Sequence, residues 1–174
     1  MSRLLHSVFL FVCLGQAAAA EPPPGIIEVP GTPAPSFELP DLDGAPFRLE
    51  ERPGHWTFVH FWASWCGPCR REMPALQRLS AHLQDSTLEL VLINTAEDED
   101  TIWTFLADVA PELETLMDRT GEVTEAWQPR GLPATYLVDP DGRIQYQALG
   151  GRPWDEPAYR RFLSGLLQEP PPER

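Results

Sequence analysis

The sequence predicts an α/β fold in which helices cover both faces of a mixed central sheet. Residues 56–62 and 88–93 are almost entirely apolar, aromatic or β-branched, as strands buried on both faces are. Between them, residues 67–84 place leucines on one face at helical spacing. A buried strand, a helix and a second buried strand in this order predict a right-handed parallel βαβ unit.

Shorter patterns on either side of this unit predict the remaining elements. Residues 37–39 and 47–49 flank Asp43-Gly44, a turn pair that predicts an N-terminal β-hairpin extension. A second hairpin is predicted across Asp141-Gly142. The strands of this second hairpin are predicted at residues 134–138 and 144–149. Three further helices are predicted at residues 99–109, 122–128 and 159–167.

One globular domain is predicted at residues 36–168, because no repeat or second linker interrupts this stretch. The chain has 174 residues, of which 43% are hydrophobic, so it can bury one core and is short for two. Residues 21–35 contain six prolines and predict an extended Pro-rich linker. Residues 169–174 predict a Pro-rich tail that follows the last helix.

The first twenty residues predict a signal peptide. Arg3 precedes an apolar run at residues 8–14, and residues 18–20 are alanines that give the small-residue cleavage pattern. The run is too short to span a bilayer. Cleavage after Ala20 and export to the periplasm are therefore predicted, with an uncleaved N-terminal membrane anchor as the alternative.

The charge of the chain limits its partners. It carries 13 basic residues, all of them arginine, and 26 acidic residues, giving a net charge of −13. This balance argues against nucleic acid or an anionic membrane surface as the main partner.

Three cysteines are present, and Cys13 would leave with the signal peptide. The mature chain can then form a single disulfide, between Cys66 and Cys69. That disulfide closes a very short loop, so it stabilises the fold little. We therefore interpret the two cysteines as a reactive dithiol rather than as a disulfide that stabilises the fold.

The cysteine pair opens a predicted helix directly after a predicted buried strand. Disulfide exchange needs a thiolate as the nucleophile, so the site must favour ionised sulfur. Unpaired backbone N–H groups and the helix dipole favour negative charge at Cys66. We predict Cys66 as the attacking thiol and Cys69, one turn on, as the thiol that resolves the mixed disulfide. A zinc site is disfavoured, because the chain has no second CxxC pair to complete four ligands.

Residues 61–74 read FWASWCGPCRREMP and resemble the active-site segment of the thioredoxin superfamily, more narrowly of the TlpA/ResA-type exported thiol–disulfide oxidoreductases. Supporting matches lie at residues 35–39 and 131–139. The resemblance implies a thioredoxin fold, no bound cofactor and a role in reducing disulfide-containing periplasmic proteins such as apocytochrome c, in cytochrome c biogenesis. It also implies a membrane thiol-transfer protein as electron donor, and we expect a monomer.

The resemblance also carries over individual residues. Pro133 matches the proline that family members hold in cis, facing the dithiol, and cis bonds are accessible chiefly before proline. Leu132 is then expected to present its backbone to an extended substrate. Trp65, Gly67 and Pro68 complete the predicted substrate-binding surface.

A carboxylate and a histidine are further candidates near the dithiol. Glu97 follows a predicted strand end, where the resemblance implies an acidic residue close to the active site. Glu97 has two possible roles. It is catalytic if it exchanges a proton with Cys69 during the reaction. Alternatively, the acidic run at residues 97–100 is only the solvated start of a helix. His60 occupies the position at which cytosolic thioredoxins carry a buried aspartate, which shifts the proton-relay role toward Glu97 or water.

Two other functions are kept as alternatives. A disulfide oxidase or isomerase would use the same fold and the same cysteines, and a measured reduction potential would separate it from a reductase. A copper-delivery module would bind Cu(I) through sulfur, but thioredoxin-fold relatives of that kind add a distant histidine, and none follows His82.

Overall fold

A six-stranded mixed sheet forms the centre of the protein in the computed structural model, which describes residues 21–51 and 54–167. The strands span Ile26–Pro33 (β1), Trp56–Trp62 (β4), Leu88–Thr95 (β5), Leu116–Asp118 (β6), Ala134–Val138 (β7) and Arg143–Leu149 (β8). Their order across the sheet is β1, β8, β7, β4, β5 and β6. A separate hairpin pairs Glu38–Pro40 (β2) with Pro46–Arg48 (β3).

The helices lie between the strands in the chain and cover both faces of the sheet, as predicted. They span Gly67–Leu83 (α1), Glu99–Val109 (α2), Glu122–Trp127 (α3) and Pro157–Leu166 (α4). Each begins and ends within two residues of the predicted helix. In the described part of the chain, no helix is both long and apolar enough to cross a lipid bilayer.

The central pairings agree with the sequence analysis. Strand β4 pairs in parallel with β5, from Trp56 opposite Leu88 to Trp62 opposite Asn94, with α1 as the connection. Strands β7 and β8 pair antiparallel across Asp141-Gly142. The predicted βαβ unit and both predicted hairpins are therefore confirmed.

The predicted linker at residues 21–35 is wrong over most of its length. Residues 26–33 form β1, which pairs antiparallel with β8. The register of the β1–β8 pairing shifts between Glu28 and Thr32. The segment that contains Pro30 is therefore not continuously hydrogen-bonded to β8. Because β1 lies at the edge of the sheet, prolines without an N–H group are tolerated there. The folded domain therefore begins ten residues before the predicted boundary, at residue 26 rather than 36. The predicted signal peptide and tail lie outside the described residues.

The sequence does not predict strand β6. It is three residues long, too short to show alternation of apolar and polar side chains. It forms because β5 offers a free edge, with which Leu116 and its neighbours pair in parallel. Leu116 also forms a bridge with Asp41, which joins the N-terminal hairpin to the sheet.

Alternate side chains of β4 enter two separate apolar clusters, one on each face of the sheet. Phe58 and Trp62 belong to the first cluster, which α1, α2 and α4 complete. Val59 and Phe61 belong to the second, which α3 and the hairpin complete. All seven side chains of β4 are buried. This double burial fixes the strand, and with it the position of the cysteine pair that follows.

We predict that Phe58→Ala lowers the free energy of unfolding by about 3–5 kcal/mol, because the fully buried ring leaves a cavity when it is removed. The ring centroid lies 4.8 Å from that of Trp154, so the loss includes an edge-to-face contact. Urea denaturation followed by circular dichroism measures the effect. Trp103→Ala is the matched control, since Trp103 is 52% exposed. Equal losses in the two variants would contradict this description of the core.

Candidate functional site

The cysteine pair lies at the carboxyl end of β4, where the chain turns into α1. Cys66 is the residue that caps the helix, and Cys69 lies in its first turn. The two form a disulfide with an S–S distance of 2.11 Å and a Cα–Cα distance of 5.2 Å. Cys69 is fully buried and Cys66 is 5% exposed. The pair therefore sits just below the surface, with Cys66 nearer to solvent.

The start of α1 provides a polar environment for the sulfur of Cys66. The backbone N–H of Cys69 donates a hydrogen bond to Cys66 Sγ at 3.2 Å. Pro68 occupies one of the first helical positions, where its missing N–H leaves no bond unmade. No acidic residue lies in the first turn. When the disulfide is reduced, the helix N-terminus favours negative charge on Cys66, as a nucleophilic thiolate requires.

The predicted substrate-binding residues comprise three next to the cysteines in the sequence and two in the loop before β7, and they differ in exposure. Trp65 is 68% exposed, Gly67 and Pro68 are also exposed, and Leu132 is half-buried. The Leu132–Pro133 peptide bond is cis, so the expectation about its geometry is confirmed. The Pro133 carbonyl accepts a hydrogen bond from Gly150 N–H at 2.8 Å, which ties this loop to the end of β8. Binding of substrate by these residues stays a prediction.

Glu97 contacts the loop that precedes the cysteines. Its Oε2 accepts hydrogen bonds from Ser64 N–H at 2.7 Å and from Asn94 Nδ2 at 2.8 Å. Its Oε1 accepts from the Ser64 hydroxyl. The side chain is thus turned inward toward Ser64, while Asp98 caps α2 by accepting from Thr101 N–H. These contacts make Glu97 a positioning residue for the loop, and proton exchange with Cys69 stays a prediction.

A second carboxylate, which the sequence analysis missed, is buried under the active-site helix. Glu72 lies one turn after Cys69 and is 4% exposed. Its Oε2 accepts from Arg152 N–H at 3.0 Å and from Trp154 Nε1–H at 3.2 Å. Its Oε1 lies 3.2 Å from Nε2 of His60. A signal was available: Glu72 interrupts the apolar stripe of α1 at a position where helical spacing predicts a buried residue.

His60 links this carboxylate to the sheet. The imidazole is fully buried, and its Nδ1 lies 2.8 Å from the hydroxyl of Thr135 on β7. The side chain belongs to the face of β4 that α1 covers. Glu72 and His60 therefore form a buried carboxylate–imidazole pair beneath the helix that carries both cysteines.

The chain matches the model of the AhpC/TSA family over residues 30–147. It is also similar to curated proteins named thiol-disulfide oxidoreductase ResA. Identity is 29% over 114 residues with the Bacillus subtilis protein and 33% over 115 residues with the Geobacillus thermodenitrificans protein. Each match covers 66% of this chain. They cover 64% and 66% of the relatives, so the chain spans just under two thirds of their length.

Among solved structures, the chain resembles a putative thiol:disulfide interchange protein DsbE from Chlorobium tepidum. The TM-score is 0.69 at 31% identity, over 78% of this chain and 96% of that one. This similarity confirms the predicted thioredoxin fold. The family match includes β4, the cysteine pair and the cis-proline loop, and on this evidence the chain belongs to the AhpC/TSA family.

Proposed function

We propose that this protein is an exported thiol–disulfide oxidoreductase that reduces disulfides of periplasmic proteins through Cys66 and Cys69. The observation that carries the proposal is the position of the pair at the N-terminus of α1, where Cys66 Sγ accepts a hydrogen bond from Cys69 N–H. The similarity to proteins named thiol-disulfide oxidoreductase supports it.

The reaction follows from two exchanges of sulfur–sulfur bonds. The Cys66 thiolate attacks one sulfur of the substrate disulfide, which breaks that bond and releases the other sulfur as a thiolate that takes up a proton. Cys69 then loses its proton and attacks the Cys66 sulfur, which releases the second substrate sulfur as a thiolate that is protonated in turn. The substrate gains two electrons and two protons, and this protein ends with the Cys66–Cys69 disulfide.

Two carboxylates serve different steps in this proposal. Glu97 holds Ser64 and so fixes the loop that delivers Cys66. Glu72 lies on the buried face of α1, three residues after Cys69, and is paired with His60. During resolution the buried thiol of Cys69 must lose a proton, and we propose that Glu97 exchanges it. Glu72, on the same buried face of α1 as Cys69, is a second carboxylate that this step could use.

The substrate and the electron donor follow from the family resemblance. We propose that the substrates are disulfide-containing periplasmic proteins, with apocytochrome c as an example, and that a membrane thiol-transfer protein reduces the Cys66–Cys69 disulfide after each cycle. The exposed Trp65 and the half-buried Leu132 supply apolar surface for an extended substrate segment. A disulfide oxidase on the same site would show a markedly less negative reduction potential than a reductase, which a glutathione redox titration measures.

We predict that Cys69→Ala accumulates a mixed disulfide with its substrate through Cys66, because the resolving thiol is absent. Non-reducing gels of cell-envelope extracts would show the adduct, and Cys66→Ser is the matched control that forms none. Reduction of a model disulfide should be lost in Cys66→Ser. Adducts on Cys69 in a Cys66→Ala variant would reverse the two roles, and full activity of Cys66→Ser would refute the proposed function.

We predict that Glu97→Gln retains the fold, moves the alkylation profile of Cys66 to lower pH and slows resolution of the mixed disulfide. A negative charge beside the loop disfavours the thiolate, and the amide holds Ser64 less firmly. Alkylation rates against pH measure the first effect, and Asp100→Asn, an equal charge change at an exposed site, is the control. Superimposable profiles for wild type and Glu97→Gln would limit Glu97 to a structural contact. Glu72→Gln in the same assay separates the contributions of the two carboxylates.

We predict that export removes residues 1–20, so that mass spectrometry of the protein from a cell envelope finds Glu21 as its first residue. This prediction is based on the apolar run and the small residues that follow it, the pattern of a cleavable signal peptide. Detection of the intact N-terminus would instead identify an uncleaved membrane anchor.

A further inference from the structure

A groove borders the cysteine pair on the side of Pro68, between α1 and the loop that follows β8. Its volume is about 410 Å³. We call it the arginine groove, because its walls carry three arginines, Arg71, Arg78 and Arg152. Pro68 is part of its lining. The groove is therefore continuous with the segment that a substrate must approach.

Two of the three guanidinium groups have no acidic side chain among the described residues that forms a salt bridge with them. Arg78 is neutralised, since its Nε donates to Asp155 Oδ2 at 2.6 Å. Within residues 21–51 and 54–167, the side chains of Arg71 and Arg152 have no carboxylate at salt-bridge distance. Arg71 Nη1 lies only 3.5 Å from where a Cβ on Gly67 would be, so its charge lies beside the first of the two residues between the cysteines.

Arg152 is held in place by backbone carbonyls rather than by an acid. Its Nη2 donates to Leu149 O at 2.8 Å and to Gly25 O at 3.3 Å, and its Nη1 donates to Gly151 O at 2.9 Å. Gly25 has a φ of +84°, and a Cβ there would lie 2.3 Å from Arg152 Nε. The guanidinium is thus closely packed and oriented while it keeps its full charge.

The remaining acidic group of the groove is already occupied. Glu72 is buried in the wall, where its carboxylate contacts His60, Arg152 N–H and Trp154 Nε1–H. Arg70, on the same helix, also has no acidic partner among the described residues: it donates to Ser64 O and lies 4.9 Å from the centroid of the Phe105 ring. The side of the dithiol that borders the groove is therefore basic, in a chain whose net charge is −13.

We propose that the arginine groove is a subsite for an acidic side chain of the substrate, located within a few residues of the target cysteine. This inference rests on the proposed function. Arginine pairs with carboxylates through two parallel hydrogen bonds, so Arg71 can bind an aspartate or glutamate in this way. Arg152, whose Nη atoms already donate to three backbone carbonyls, adds a fixed positive charge to the subsite. The net negative charge of the protein repels acidic segments at long range. The groove therefore acts only at close range, where it favours acidic segments over neutral or basic ones that have reached the dithiol.

A set of three disulfide-bonded peptides tests the proposal. They are identical except for the residue two places after the target cysteine, which is Asp, Asn or Lys. The second-order rate of their reduction is measured with the reduced full-length protein. We expect the Asp peptide to react about fivefold faster than the Asn peptide, and the Lys peptide to react more slowly. Raising the salt concentration should bring the three rates together.

Arg71→Glu is the decisive variant, because Arg71 is exposed on α1 and its replacement leaves the core intact. With each rate divided by that of the Asn peptide in the same variant, it should invert the order, so that the Lys peptide reacts fastest. Arg143→Glu is the matched control. It makes the same charge change at the start of β8, the end of that strand opposite to Leu149 and the dithiol.

The outcomes separate the two proposals. Failure of the wild type to reduce the Asn peptide would refute the proposed function and the subsite together. Reduction of all three peptides at equal rates would refute only the subsite. An equal change of order in Arg71→Glu and Arg143→Glu would also overturn it, because the effect would then come from net charge rather than from the groove.

Discussion

The carboxylate of Glu72, buried on the inner face of α1, needs hydrogen-bond partners, and the arrangement around the dithiol depends on which groups supply them. An isolated charge in a protein interior costs several kcal/mol, so a buried acid needs partners on all sides. Glu72 finds partners in two parts of the chain: its Oε1 lies 3.2 Å from Nε2 of His60 on β4, and its Oε2 accepts from Arg152 N–H and Trp154 Nε1–H in the loop after β8. The bonds to Glu72 therefore fix α1, the central strand and this loop relative to one another.

The same interactions shape the surface beside the cysteines. Because Glu72 holds the backbone of Arg152, the loop packs against α1 with Gly151 close to the Pro68 carbonyl; a Cβ on Gly151 would lie 3.4 Å from that oxygen. The guanidinium of Arg152 then points to carbonyl acceptors and keeps its charge. A buried acid thus creates an exposed basic wall. The helix that carries the cysteine pair and the charge beside that pair are both positioned by the contacts of Glu72.

On the other side of the dithiol, a second acid, which is half-buried, performs a comparable task. Glu97 receives its hydrogen bonds from Ser64 and Asn94, which joins the end of β5 to the loop after β4. The two parallel strands end at the same edge of the sheet, where sites in α/β proteins gather. Cys66 is therefore supported by contacts on both sides: Glu97 positions the loop before it, and Glu72 anchors the helix after it.

The sequence alone determined the parts of this protein that depend on local patterns. Double burial of β4, the leucine stripe of α1 and the turn residues at Asp43-Gly44 and Asp141-Gly142 are short-range signals, so the elements and the CGPC pair at a helix N-terminus were predictable. The resemblance to thioredoxin-type proteins also indicated the cis bond before Pro133.

Only the tertiary structure decided what comes together from distant parts of the chain. The segment at residues 21–35 has six prolines and the composition of a linker, but residues 26–33 of it form a strand because β8 offers an edge with which they pair. Nothing in the local sequence distinguishes the role of Glu72, which follows from His60, twelve residues earlier, and from Arg152, eighty residues later. Composition and periodicity describe a residue by its neighbours in the chain, whereas the energy of a buried charge is set by its neighbours in space.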